Sequence, residues 1–151
     1  MTHFPVISYE KAKTLTDYEQ IIYFGGLYAG GVKGLKNTVK KLSPNTKLII
    51  VTVGLADVSD EENVKNIRNS VKKQVPEHLL KAASVFHLRG GIDYSKLNFM
   101  HKTMMGMLYR SLASKPAESI THEEKALIET YDKKVDFVDY DSLRQIVEAT
   151  R

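Results

Sequence analysis

The chain has 151 residues, 22 Lys and Arg against 18 Asp and Glu, a net charge of +4 and 42% hydrophobic residues, a composition that fits one globular domain and excludes a disordered chain. It contains no cysteine, which rules out disulfides, zinc thiolates, iron–sulfur clusters and a cysteine nucleophile. The small positive excess does not point to nucleic acid, and no apolar run approaches the roughly 18 residues of a membrane span.

Residues 1–10 show no basic stretch followed by an apolar one, so no signal peptide is visible and a cytoplasmic location is expected. The first strand is predicted at Gln20–Gly25, QIIYFG, an apolar run ended by Gly25-Gly26. Val32, Leu35, Val39 and Leu42 then share one helical face, and lysines cover the other, which predicts a helix over Val32–Leu42. Lys47–Gly54, KLIIVTVG, is the second strand, β-branched and continuously apolar, as in a strand covered on both faces. Ser59 or Asp60 caps a second helix, with Val64, Ile67 and Val71 as its stripe before Pro76. Ala82–Leu88 is the third strand, closed by Arg89-Gly90-Gly91. Strand, helix, strand, helix, strand predicts a parallel α/β sheet whose Gly-containing loops lie at one end, where such folds bind ligands.

The last third is less regular. Leu97, Met100, Met104, Leu108 and Leu112 predict a helix over Leu97–Leu112, and His122–Tyr131 is a charged segment. Val135, Phe137 and Tyr140 read as a short strand. Asp139 or Asp141 caps a final helix with Leu143, Ile146 and Val147 inward.

Four constellations can carry chemistry. In FGGLYAGGV, the glycines allow close backbone approach and Tyr28 offers a face for a flat ring; a strand-to-helix turn needs the same glycines. In TVGLADVSDEEN, Gly54 and the residues after it can line a crevice, or can be a plain helix cap. In FHLRGGIDYSKL, Arg89 offers a planar cation and Tyr94 an aromatic face, against a salt bridge from Arg89 to Asp93; His87 reads as a sheet histidine. The Met-rich helix, with Lys96, His101, Lys102 and Arg110 nearby, suits core packing first, and otherwise a membrane surface, with anionic lipid as a partner, or a cover over a flat hydrophobic ligand. The five histidines are scattered, so no metal cluster forms, and no catalytic residue is evident.

Taken in order, YEQIIYFGGLYAGGV, KLIIVTVGLAD, FHLRGGIDYSKLNFMHKTMMGML and VDFVDYDSLRQIVEA resemble the flavodoxin-like superfamily, near the bacterial flavin-dependent protoporphyrinogen oxidases. The resemblance implies a three-layer α/β sandwich with a mainly parallel sheet and one domain over 1–151. An insertion over 91–134 would split the last strand into Ala82–Leu88 and Val135–Val138. It implies an FMN-dependent electron-transfer protein or oxidase, with Gly25, Gly26, Leu27, Tyr28, Ala29 and Gly30 on one side of the ring and Gly54, Leu55, Ala56 and Asp57 on the other. Arg89 and Tyr94 join them as candidate contacts. The family's opening strand and Ser/Thr-rich phosphate loop have no counterpart in the sequence, so weak FMN binding is expected. A flavin-free binding module on the same scaffold is the alternative. Loss of the family's central strand would leave a gap that exposes the edges of two strands, which predicts a homo-oligomer, most simply a two-fold dimer, with an anionic lipid surface as a further partner.

Overall fold

The structure is a computed structural model and describes residues 4–28 and 31–151. In chain order the elements are β1 (Gln20–Tyr28), β2 (Gly31–Val32), α1 (Leu35–Val39), β3 (Lys47–Gly54), α2 (Glu61–Lys72), α3 (Glu77–Ala82) and β4 (Ser84–Arg89). These are followed by β5 (Gly91–Asp93), α4 (Phe99–Ala113), α5 (His122–Thr130), β6 (Lys134–Asp136) and α6 (Leu143–Ala149). The fold is α/β. Its four-stranded sheet has the order β2-β1-β3-β4, with β1 and β2 antiparallel and the sheet mostly parallel. The predicted order of the three main strands is therefore the observed one, but β1 pairs directly with β3, so the sheet closes without the central gap expected from the missing strand.

Chain contacts divide the molecule into two compact units, the first made of Met1–Thr52 with Ile67–Phe86 and Arg151, the second of Val53–Asn66 with His87–Thr150. The first unit has a core of Tyr23, Val32, Leu35, Val39, Leu48, Ile50, Val71, Val75 and Leu79. Strand β3 is its most apolar segment, and Leu48 to Val51 are all 2% exposed or less. A strand buried on both pleat faces needs a continuous apolar run, which is what KLIIVTV supplies.

Several boundaries differ from the sequence expectation, each for a physical reason. Strand β1 continues through Gly25 and Gly26 to Tyr28, because Leu27 and Tyr28 pair with Val32 and Gly31 in a hairpin. The helix expected over Val32–Leu42 is reduced to Leu35–Val39, since Val32 is taken by the hairpin and Gly34, at φ 78°, turns the chain into α1. Its predicted inward residues Val32, Leu35 and Val39 are nevertheless buried. Helix α3, which the sequence pattern does not announce, begins directly after Pro76 and inserts Leu79 into the core.

In the second unit, β5 and β6 form a separate antiparallel ladder that pairs Ile92 with Val135. Val135 thus does not continue the main sheet as the second half of a split strand. Asn98 caps α4 by accepting from His101 N at 2.8 Å, and the inward face of α4 matches the predicted stripe only in part, at Leu108 and Leu112. Met100 is 73% exposed, whereas Met105, Tyr109 and Leu112 pack with Tyr94, Leu127 and Tyr131. Tyr131 stacks on Tyr109 at 4.1 Å and meets Tyr94 edge-on at 5.4 Å. Thr121 and Glu124 form a reciprocal capping box on α5. On α6, Ile146 is buried as predicted, but Val147 is exposed.

Candidate functional site

The candidate residues fall in two groups, one in each unit. In the first unit, the glycines of the hairpin have different tasks. A Cβ on Gly25 would overlap Val32 Cγ1 and lie 2.8 Å from the Tyr23 ring, so glycine there lets β2 close on β1. A Cβ on Gly26 would meet nothing within 4 Å. Gly26 thus lies in open space on the pleat face it shares with Phe24 and Tyr28, which are 54% and 50% exposed. Leu27, on the opposite face, packs against the core. Ala29 and Gly30 lie outside the described residues.

The hairpin is held from outside by a residue that no sequence motif marks, Gln74. Gln74 Oε1 accepts from Val32 N at 2.7 Å, and its Nε2 donates to Val32 O at 3.0 Å. One side chain therefore does for β2 what a further strand would do. Tyr23 adds a hydrogen bond from its hydroxyl to Lys33 O, and burial of that hydroxyl raises its pKa. Gln74 lies 42 residues from Val32 in the chain, so only its glutamine character, and no local pattern, could have marked it.

In the second unit, Gly54–Asp57 is a tied loop. Arg89 Nε and Nη2 both donate to Leu55 O, at 3.2 and 3.0 Å, and Gly90 N donates to Gly54 O at 2.7 Å. The guanidinium also lies 3.9 Å over the Phe137 ring. Arg89 is thus engaged in shaping the loop. Ala56 is buried. Asp57 accepts from Ser59 N at 2.9 Å and Ser59 Oγ at 2.7 Å, and these two bonds, the backbone one foremost, hold its carboxyl below the usual range. Asn63 Nδ2 donates to Asp57 O at 3.0 Å. The buried Asn63 Oδ1 has no hydrogen-bond partner among the described residues. Tyr94 is 4% exposed within the aromatic cluster, where burial raises its pKa.

Asp60 caps α2 through Glu62 N at 2.8 Å and accepts a contact from His122 Nδ1 at 2.5 Å. The His122 bond, followed by the Glu62 amide, lowers the Asp60 pKa. Among the described residues no group of three or more His, Asp or Glu could hold a metal ion. No described helix is long and apolar enough to cross a membrane.

These residues fit a flat ring better than a phosphate. In the first unit Gly26 provides unfilled space beside an exposed aromatic; separately, in the second unit, Asn63 Oδ1 is an unmatched acceptor under the Asp57 loop. The hydroxyls of Ser59 and Ser95, by contrast, are committed to Asp57 and Asp93, so neither is free for an anion. Comparison with curated proteins and with solved structures gives no significant match. A family model described as a flavodoxin domain matches residues 2–119; the chain belongs to the flavodoxin-domain family.

Proposed function

We propose that this protein is a flavin-binding electron-transfer domain that grips FMN by its ring. The observation that carries the reading is the open position at Gly26 beside the exposed Tyr28, in a chain of the flavodoxin-domain family. Tyr28 gives the ring a stacking face, and Gly26 lets it approach the backbone. The Gly54–Asp57 loop is the other segment that the family resemblance assigns to the ring, and Arg89 fixes its carbonyl at Leu55. When bound, FMN supplies the redox chemistry, and the protein supplies position and electrostatics. Likeness to the protoporphyrinogen oxidases, carried by GGIDYSKL and the Met-rich helix, supports an oxidase as the finer form of the activity. The outward face of α4 carries Phe99, Met100 and Met107, flanked by Lys96, Lys102 and Arg110, and α4 contains no acidic residue. That face supports contact with an anionic lipid surface.

The test is titration with FMN and with riboflavin. A ring-directed grip binds both weakly and to a similar extent, because the phosphate adds little. Gly26→Val, whose Cβ would meet nothing within 4 Å, is expected to leave folding intact and block the ring. Tyr28→Ala costs roughly 1–3 kcal/mol of affinity, taking base–aromatic stacking as the analogue. Absence of binding by either flavin would favour the flavin-free module. Equal affinity in both variants would place the ring elsewhere.

A further inference from the structure

We infer that the protein pairs with a second copy of itself through the outer edge of β1, forming a two-fold antiparallel strand pair. The argument begins with the direction of the backbone groups. Lys33 N donates to Gly26 O, so the even-numbered residues of β1 aim N–H and C=O toward the β2 side. On the opposite side, Glu19 O accepts from Lys47 N, the residue that opens β3, which fits the same alternation. Strand β2 has two residues and pairs only Leu27 and Tyr28. The outward N–H and C=O groups of Gln20, Ile22 and Phe24 therefore have no strand beside them among the described residues. Gln74 closes the outer edge of β2 at Val32; no comparable side chain closes β1 among the described residues.

Three observations favour a second copy as the occupant. First, a two-fold axis at Ile22 sets Ile22 opposite Ile22, and Gln20 opposite Phe24 at both ends. All are outward-facing residues, so each donor finds an acceptor. Secondly, these residues share the pleat face on which Phe24 is 54% exposed. Pairing joins two Ile22–Phe24 strips into one apolar patch, whereas a polar strand would leave them wet. Thirdly, the charges at the two ends are opposite. Asp17 and Glu19, both exposed, precede the strand, and the exposed Lys33 follows the hairpin. The antiparallel arrangement brings the acidic start of each strand toward Lys33 of the other copy. A parallel partner strand would set acid against acid. The pairing uses the first part of β1 and leaves Gly26 and Tyr28 uncovered, so it stands independently of the flavin reading.

Sedimentation equilibrium of the 151-residue chain tests this. At high micromolar concentration the mass rises from 17.1 kDa toward twice that value. Phe24→Lys, at an exposed position, weakens association about tenfold or more, with circular dichroism confirming that the variant is folded. Glu19→Lys and Lys33→Glu each weaken it roughly two- to fivefold at low salt, and the double exchange restores it. Rescue by the double exchange separates a specific antiparallel pair from general stickiness. A chain that stays monomeric at every concentration, or a dimer indifferent to Phe24→Lys and to the charge exchange, overturns the inference.

Discussion

Gln74 offers a sharp test of how the hairpin is held. Leu27 and Val32 are opposed without hydrogen bonding to each other, so the Val32 N–H and C=O point away from β1 and depend on Gln74 alone. Val32 is 1% exposed. Gln74→Met keeps the length and bulk of the side chain while removing both bonds. Two net hydrogen bonds are worth about 2 kcal/mol together, and burying the orphaned groups raises the cost toward about 3 kcal/mol, moderated by water reaching the half-buried site. With an unfolding entropy of about 2.1 cal/mol/K for each of 151 residues, that loss lowers Tm by about 6 to 9 °C. Thermal melts followed by circular dichroism give the shift, and hydrogen exchange gives the local effect, since the Val32 amide should lose protection before the β3 amides. A Tm within about 1 °C of the parent, with Val32 still protected, would show that the hairpin does not depend on this clamp.

Three further outcomes are expected. Arg89→Met removes two charge-assisted bonds to Leu55 O and the contact over Phe137, costing roughly 2–4 kcal/mol in urea unfolding, and Arg89→Lys recovers only part because an ammonium cannot supply the fork. Gly25→Ala overpacks against Val32 and Tyr23 and costs about 1–3 kcal/mol, whereas Gly26→Val leaves the melt unchanged. Asp57, Asp60, Asp93 and Glu124 all have lowered pKa values. Their stabilising contribution is thus complete above the ordinary carboxylate range near about 4 and is lost as the pH falls below it. Acid titration followed by tyrosine fluorescence should show that loss, and Asp60→Asn should reduce its size.

What the sequence made legible follows the range of the forces involved. Strand β3 was readable to the residue because burial on both faces demands an unbroken apolar run. The helical caps at Asp60, Asn98 and Thr121 act over two or three residues. Asp60 was named among two candidates; the other two follow the same local chemistry. The glycine pair at 25–26 misled, because the same residue type ends a strand in one context and permits close packing within it in another. Only the pairing of Tyr28 with Gly31 decides between them. The inward face of α4 was legible only in part: spacing picked out Leu108 and Leu112 but also the exposed Met100, because methionine and leucine occupy both sides of that helix. Arg89 was recognised as important, but its partner, the Leu55 carbonyl 34 residues away, is a tertiary fact. Gln74 shows the same limit.

The β5–β6 ladder has a consequence for how the chain can be altered. Tyr94 N donates to Lys133 O, so the ladder brings the two ends of the segment 94–133 together like the stem of a hairpin. All the residues around the aromatic cluster, from Tyr94 to Tyr131, belong to that segment. The excursion therefore carries its own small core, and its ends leave from adjacent points. Loop closure grows only slowly in cost with length, so the stem can tolerate inserts of very different sizes. The segment is in this sense a cassette: a two-residue Asn-Gly turn could replace it and still join β5 to β6 as an ordinary hairpin. Its contacts from His122 to Asp60 and Glu62 are among the side-chain links that such an exchange would sever.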